Sequence, residues 1–127
     1  VKYPSHSIRA LQEFGAKPSK YRNSKVTLDG ETFDSHAECR RYQQLRLWAS
    51  VGEISELTRQ VSFVLAPAAI VGGKPKRSLI YRADFQYIDH GTKELVVEDV
   101  KGALTEAYKI KRHLMKTIHG IDIRETK

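Results

Sequence analysis

Cysteine is almost absent from this chain: Cys39 is the only one among 127 residues. No disulfide can close within the chain, and no cysteine-based zinc site can form. Long apolar runs are missing as well. None approaches the roughly 20 residues that a membrane-spanning helix needs, and residues 1–20 lack the apolar stretch of a secretion signal. There are no internal repeats, no low-complexity tract and no glycine-rich phosphate loop. Acid is in short supply relative to base, with 15 Asp and Glu against 22 Lys and Arg, a net charge of +7 and a pI near 9.6. These absences predict a protein without a membrane segment in a reducing compartment such as the cytoplasm. The excess of base raises the local concentration of polyanions, nucleic acids among them.

The length suits one domain, with enough chain to bury a core. Residues 1–25 are polar and basic (Lys2, Arg9, Lys17, Lys20, Arg22, Lys25) and are read as an arm with a short helix near Ser7 to Phe14, followed by a domain over 26–127. Val26 to Phe33 alternates around Asp29-Gly30, a hairpin signal. Ser35-His36-Ala37-Glu38 is a capping box that opens a helix to about Ser50, with Ala37, Tyr42, Leu45, Trp48 and Ala49 at helical spacing.

Strands are predicted at Val61 to Leu65, Leu79 to Ile88 and Glu94 to Val100, with a loop over Pro67 to Lys76. Leu104 to Ile118 carries a second helical pattern, and Ile121 to Arg124 a last short strand. This order predicts the α/β class, as an α+β mixed sheet flanked by helices.

The segment richest in chemistry is Ala83-Asp84-Phe85, a turn, and then Val96-Val97-Glu98-Asp99-Val100-Lys101-Gly102. A loop of two or four residues centred on His90-Gly91 sets Asp84 opposite Val97, which places Asp84, Asp99 and Lys101 on one sheet face and Glu98 on the other. A three-residue loop would instead place Glu98 with Asp84. Two neighbouring carboxylates repel, and a hard cation relieves that repulsion. Mg²⁺ is typically held by one or two carboxylates, keeping positions for water and phosphate oxygens. A lysine two residues from one of them can hold a water or offset developing negative charge. Glu38 lies on the helix face of Tyr42 and Leu45, where it could complete such a site or serve only the capping box.

Phe33-Asp34-Ser35-x-x-Glu38-x-x-Arg41, Tyr81-x-Ala83-Asp84-Phe85 and Glu98-Asp99-Val100-Lys101-Gly102 together resemble the small phage-encoded nucleases of the PD-(D/E)XK superfamily. The likeness covers about residues 20–127, with Ala83 standing where the name-giving proline would be. It implies a restriction-endonuclease-like core and a Mg²⁺- or Mn²⁺-dependent DNA endonuclease, with some relatives resolving Holliday junctions. It implies metal ligation by Asp84, Asp99, the Val100 carbonyl and Glu38, with Lys101 at the attacking water. It places the protein in the host cytoplasm if phage-encoded, and a resolvase would be a homodimer.

Arg40, Arg41, Tyr108, Lys109, Lys111, Arg112 and Lys116 are the candidate nucleic-acid contacts, with Lys109, Arg112 and Lys116 sharing a helix face. Two rival readings are a DNA-binding module that does not cut and an RNA nuclease.

Overall fold

A computed structural model describes residues 25–127, so the expectations for residues 1–24, the arm and its short helix, lie outside the described residues. The described residues divide into two compact units, 25–54 and 55–127.

In the described part of the first unit, β1 (Val26–Leu28) and β2 (Glu31–Phe33) form the expected hairpin, with Val26 paired to Phe33. Asp29 and Gly30 both take positive φ, as a two-residue hairpin turn requires. Helix α1 (His36–Ser50) starts where the capping box predicts: the Glu38 N–H donates to Ser35 Oγ at 3.1 Å. Val26, Leu28, Phe33 and Cys39 form its core, with Tyr42 packed against them. The lone cysteine is therefore a core residue.

The second unit is built on a four-stranded mixed sheet, in the order β3 (Ile54–Ala66), β6 (Leu79–Asp89), β7 (Glu94–Val100), β8 (Arg124–Thr126). β6 and β7 are antiparallel, β7 and β8 parallel. A parallel pair needs a crossover, which α2 (Glu106–His119) supplies. Thr105 caps that helix by accepting from the Tyr108 N–H at 3.1 Å, and Gly120 ends it in the left-handed conformation. The core joins Leu65, Tyr81, Ala83 and Val97 of the sheet to Tyr108 and Met115 of α2. The protein is thus of mixed α+β class, as predicted.

Two elements differ from expectation. β3 begins at Ile54 rather than Val61, because Glu56 and Gln60 adopt left-handed backbone within the strand and disrupt the alternation on which a sequence reading depends. Residues 67–76 are not a loop throughout: β4 (Ala69–Val71) and β5 (Lys74–Lys76) form a second hairpin around Gly72-Gly73. Among the described residues no helix is long and apolar enough to cross a membrane.

Candidate active site

The site is set by how β6 and β7 pair. Asp89 pairs with Glu94, and a four-residue turn, 90–93, joins them. Asp89 Oδ1 accepts from the N–H groups of Gly91 (2.8 Å) and Thr92 (3.3 Å), and Lys93 takes φ of 67°. This side-chain cap centres the turn one residue later than the sequence suggested. Val97 therefore faces Gln86, not Asp84. A shift of two residues in pairing preserves sidedness, and Glu98 faces Phe85, on the side away from Asp99.

The paired ladder ends at Phe85–Glu98. Beyond it the Val100 N–H donates to Asp84 Oδ2 at 2.8 Å, so a carboxylate stands where a strand carbonyl would ordinarily accept. β6 also changes phase here. Tyr87 donates its hydroxyl to Glu98 at 2.8 Å, whereas Tyr81 donates its own to Asp99 at 2.6 Å. Glu98 and Asp99 point to opposite faces, yet Tyr81 and Tyr87 would share a face in an unbroken strand. Asp84 lies at this break. It joins the group through the β7 backbone and not, as expected, through regular alternation alone.

Asp99 is 3% exposed. A buried carboxylate is costly unless it is hydrogen-bonded or paired, and Asp99 has both kinds of support. Tyr81 donates to its Oδ2, and Lys101 Nζ lies 3.2 Å from the same oxygen. Among the described residues no hydrogen bond is made to Oδ1. Lys101 is held on its other side by the Tyr108 ring, 4.1 Å from the ammonium to the ring centroid, a favourable cation–π arrangement. Burial, and then the hydrogen bond to Asp99, push the Tyr81 hydroxyl far above the ordinary tyrosine range, with Asp84 adding to the effect.

A third acid, Glu125 of β8, completes the surroundings. It pairs with Asp99 in the sheet register. Glu125 Oε2 accepts from the Tyr108 hydroxyl and from Arg112 Nη1, each at 2.8 Å. The Arg112 bond, then that of Tyr108, holds its carboxyl below the ordinary glutamate range. Burial and the bond to Glu125 push Tyr108 upward. A cleft of about 370 Å³, lined by Lys101, Gly102, Leu104, Glu125, Thr126 and Lys127, opens beside Lys101.

The other predicted residues are placed as follows. Glu38 is buried, in the first unit, while Asp84, Asp99 and Lys101 belong to the second. Arg40 is exposed, and Arg41 stacks over Trp48 at 4.9 Å. Tyr108 is 5% exposed and lies beneath Lys101, so it is not the surface contact expected of it. Its aromatic ring is needed in the core, and its hydroxyl finds an internal acceptor. Lys109 pairs with Glu106, Arg112 with Glu125 and Lys116 with Asp122, while Lys111 is exposed.

Tyr81 and Glu125 were given no role by the sequence reading. A tyrosine three residues before the first acid was the only signal for Tyr81, and Glu125, near the end of the chain, gave none.

Among the described residues no cluster of three or more His, Cys, Asp and Glu is disposed to hold a metal. Two carboxylates and a carbonyl at one strand end are a hard, all-oxygen donor set. Mg²⁺ requires no more than one or two carboxylates from protein, so Asp84 and Asp99 fit that ion.

Residues 18–126 match the model of a family described as protein of unknown function (DUF1064), and the chain belongs to that family. Comparison with curated proteins and with solved structures gives no match.

Proposed function

We propose that this protein is a divalent-metal-dependent DNA endonuclease that hydrolyses phosphodiester bonds at the end of β7. The observation that carries this reading is the Asp99 carboxylate: buried, fixed through one oxygen by Tyr81 and Lys101, with Asp84 anchored to the next backbone N–H. Asp84, Asp99 and the Val100 carbonyl would hold Mg²⁺ or Mn²⁺. When bound, such an ion lowers the pKa of water and stabilises charge on the phosphate.

The protein supplies the rest. Tyr81 orients Asp99 by donating to Oδ2. Lys101, steadied over the Tyr108 ring, is placed to hold the attacking water or to offset charge on the phosphate. The cleft beside Lys101 would admit the phosphate backbone. Asp84, Asp99 and Lys101 alone carry the proposal. Glu38 stays an expectation set by the likeness to PD-(D/E)XK nucleases, as does the preference for branched DNA.

The test is cleavage of labelled duplex, single-stranded, flapped and four-way-junction DNA, and of duplex RNA, in Mg²⁺, Mn²⁺ or EDTA. Metal-dependent cutting of DNA supports the proposal, and the best substrate names the DNA form. Cutting of RNA alone would make it an RNA nuclease. Binding without cutting in any metal would make it a DNA-binding module.

A further inference from the structure

Between Leu57 and Ala83 the chain has Arg59, Lys74, Lys76, Arg77 and Arg82 and not one Asp or Glu. The middle of this stretch is the β4–β5 hairpin, and every residue from 67 to 80 is exposed. Gly72 and Gly73 both take positive φ, the two-residue turn whose twist matches a two-stranded ribbon. Pairing sets Ile70 opposite Pro75 on one face, and Ala69 and Val71 opposite Lys76 and Lys74 on the other. Ile70 is 76% exposed. A two-stranded ribbon is marginal in water by itself, and one bearing an uncovered apolar pair gains by lying against something.

We infer that the β4–β5 ribbon is an arm that enters a groove of duplex DNA beside the site described above. Lys74, Lys76 and Arg77 reach phosphates, and Ile70 and Pro75 turn toward the bases. Three observations favour DNA as the occupant. The charges of the ribbon are all basic, so a second copy of this chain, itself carrying +7, would be repelled from it. A two-stranded ribbon has the dimensions that the major groove of B-form DNA admits, whereas the major groove of duplex RNA is too deep and narrow. An apolar face such as that of Ile70 and Pro75 can also contact the thymine methyl groups that the major groove presents.

The ribbon leads into β6 at Leu79, in the half of the strand that carries Tyr81 and runs to Asp84. At about 3.3 Å per residue, Gly73 to Tyr81 spans up to about 26 Å. The tip would thus touch DNA within about eight base pairs, at about 3.4 Å each, of the phosphate at Asp99. The placement of that phosphate rests on the proposed nuclease reading; the binding role of the ribbon is tested without it.

The experiment measures binding of the full chain to labelled duplex DNA in EDTA, over a range of salt, so that cleavage plays no part. The wild type is compared with K74Q/K76Q/R77Q and, separately, with Ile70→Ser, each checked by melting temperature. The triple variant is expected to lower the slope of log K against log salt by about 2–3, since each lost phosphate contact removes about 0.9. Ile70→Ser is expected to weaken duplex binding severalfold with the slope kept. Neither change should alter binding to duplex RNA.

An unchanged slope in the triple variant would overturn the proposal. So would an equal loss on duplex RNA, or a shift from dimer to monomer with DNA binding intact, which would make the ribbon a contact between copies. If the ribbon variants behave as expected but no metal supports cleavage, the arm stands and the nuclease reading falls.

Discussion

Tyr81 donates its hydroxyl to Asp99 across 2.6 Å, from a point on β6 where the strand has changed face. Tyr87, further along the same strand, serves Glu98 on the opposite face. Two adjacent buried acids of β7 thus each have a tyrosine, and the break between the tyrosines is where Asp84 meets the backbone of Val100. The carboxylate proposed to act at the site is therefore positioned by an irregularity of the sheet.

Tyr81→Phe removes the hydroxyl and leaves a buried carboxylate oxygen with Lys101 as its remaining partner. Loss of one partner of a buried hydrogen bond to a charged group costs about 1–3 kcal/mol. The melting temperature should fall accordingly. Tyr81 acts on the reaction only through Asp99, so the metal concentration needed for half-maximal cleavage should rise more than the rate at saturating metal falls. A variant with wild-type stability and metal dependence would remove Tyr81 from the site.

Glu125 gives a pH signature. Its carboxyl is held below the ordinary range by Arg112 and Tyr108. A depressed acid stabilises the fold above its unfolded pKa, about 4.3, and that contribution is lost as pH falls through the lower, folded value. Glu125→Gln should therefore lower the melting temperature at pH 7, and the gap from wild type should narrow at pH below about 4. A constant gap across this range would show that the charge of Glu125 contributes nothing.

The alkaline side is read by tyrosine absorbance. Burial and the bond to Asp99 raise Tyr81, and burial and the bond to Glu125 raise Tyr108. Neither should ionise near the ordinary tyrosine pKa of about 10 while the protein is folded. Because folding favours their neutral forms, stability should fall as pH rises above that value. In a spectrophotometric titration, Tyr81→Phe and Tyr108→Phe should leave the amplitude of the early phase unchanged. A loss of amplitude near pH 10 in either variant would contradict the burial described.

Much of this was legible in the sequence because the signals were local. The Asp29-Gly30 turn, the Ser35 cap and Gly120 at the end of α2 each act within a few residues, and the elements they bound were found where expected. The grouping of Asp99 with Lys101, and the separation of Glu98 from both, follows from strand alternation and holds in the structure. Three features depend on non-local or irregular geometry and were missed. The left-handed Glu56 and Gln60 disguised the first half of β3. The Asp89 side-chain cap moved the β6–β7 turn by one residue. The burial of Tyr108 depends on Glu125, which arrives from the other end of a crossover. Sequence alone sees Tyr108 as one more polar position on a basic helix.

Ser35→Ala tests the local part of this description by itself. The hydroxyl accepts from the Glu38 N–H at the start of α1, and losing such a cap costs about 1 kcal/mol. Chemical denaturation should show a loss of that size. A loss near zero would mean that the cap is satisfied by another group.

The most direct measurement compares Asp99→Asn with wild type for DNA cleavage in Mg²⁺ and Mn²⁺, alongside their melting curves and duplex binding in EDTA. Asparagine keeps the shape of the side chain and an acceptor for Tyr81 while removing the charge. The expected result is metal-dependent cutting by the wild type, a loss of at least a hundredfold in the variant, and duplex binding retained in both. Cutting by Asp99→Asn at the wild-type rate, with its fold intact, would contradict the assignment of Asp99 as the acid at the centre of the site.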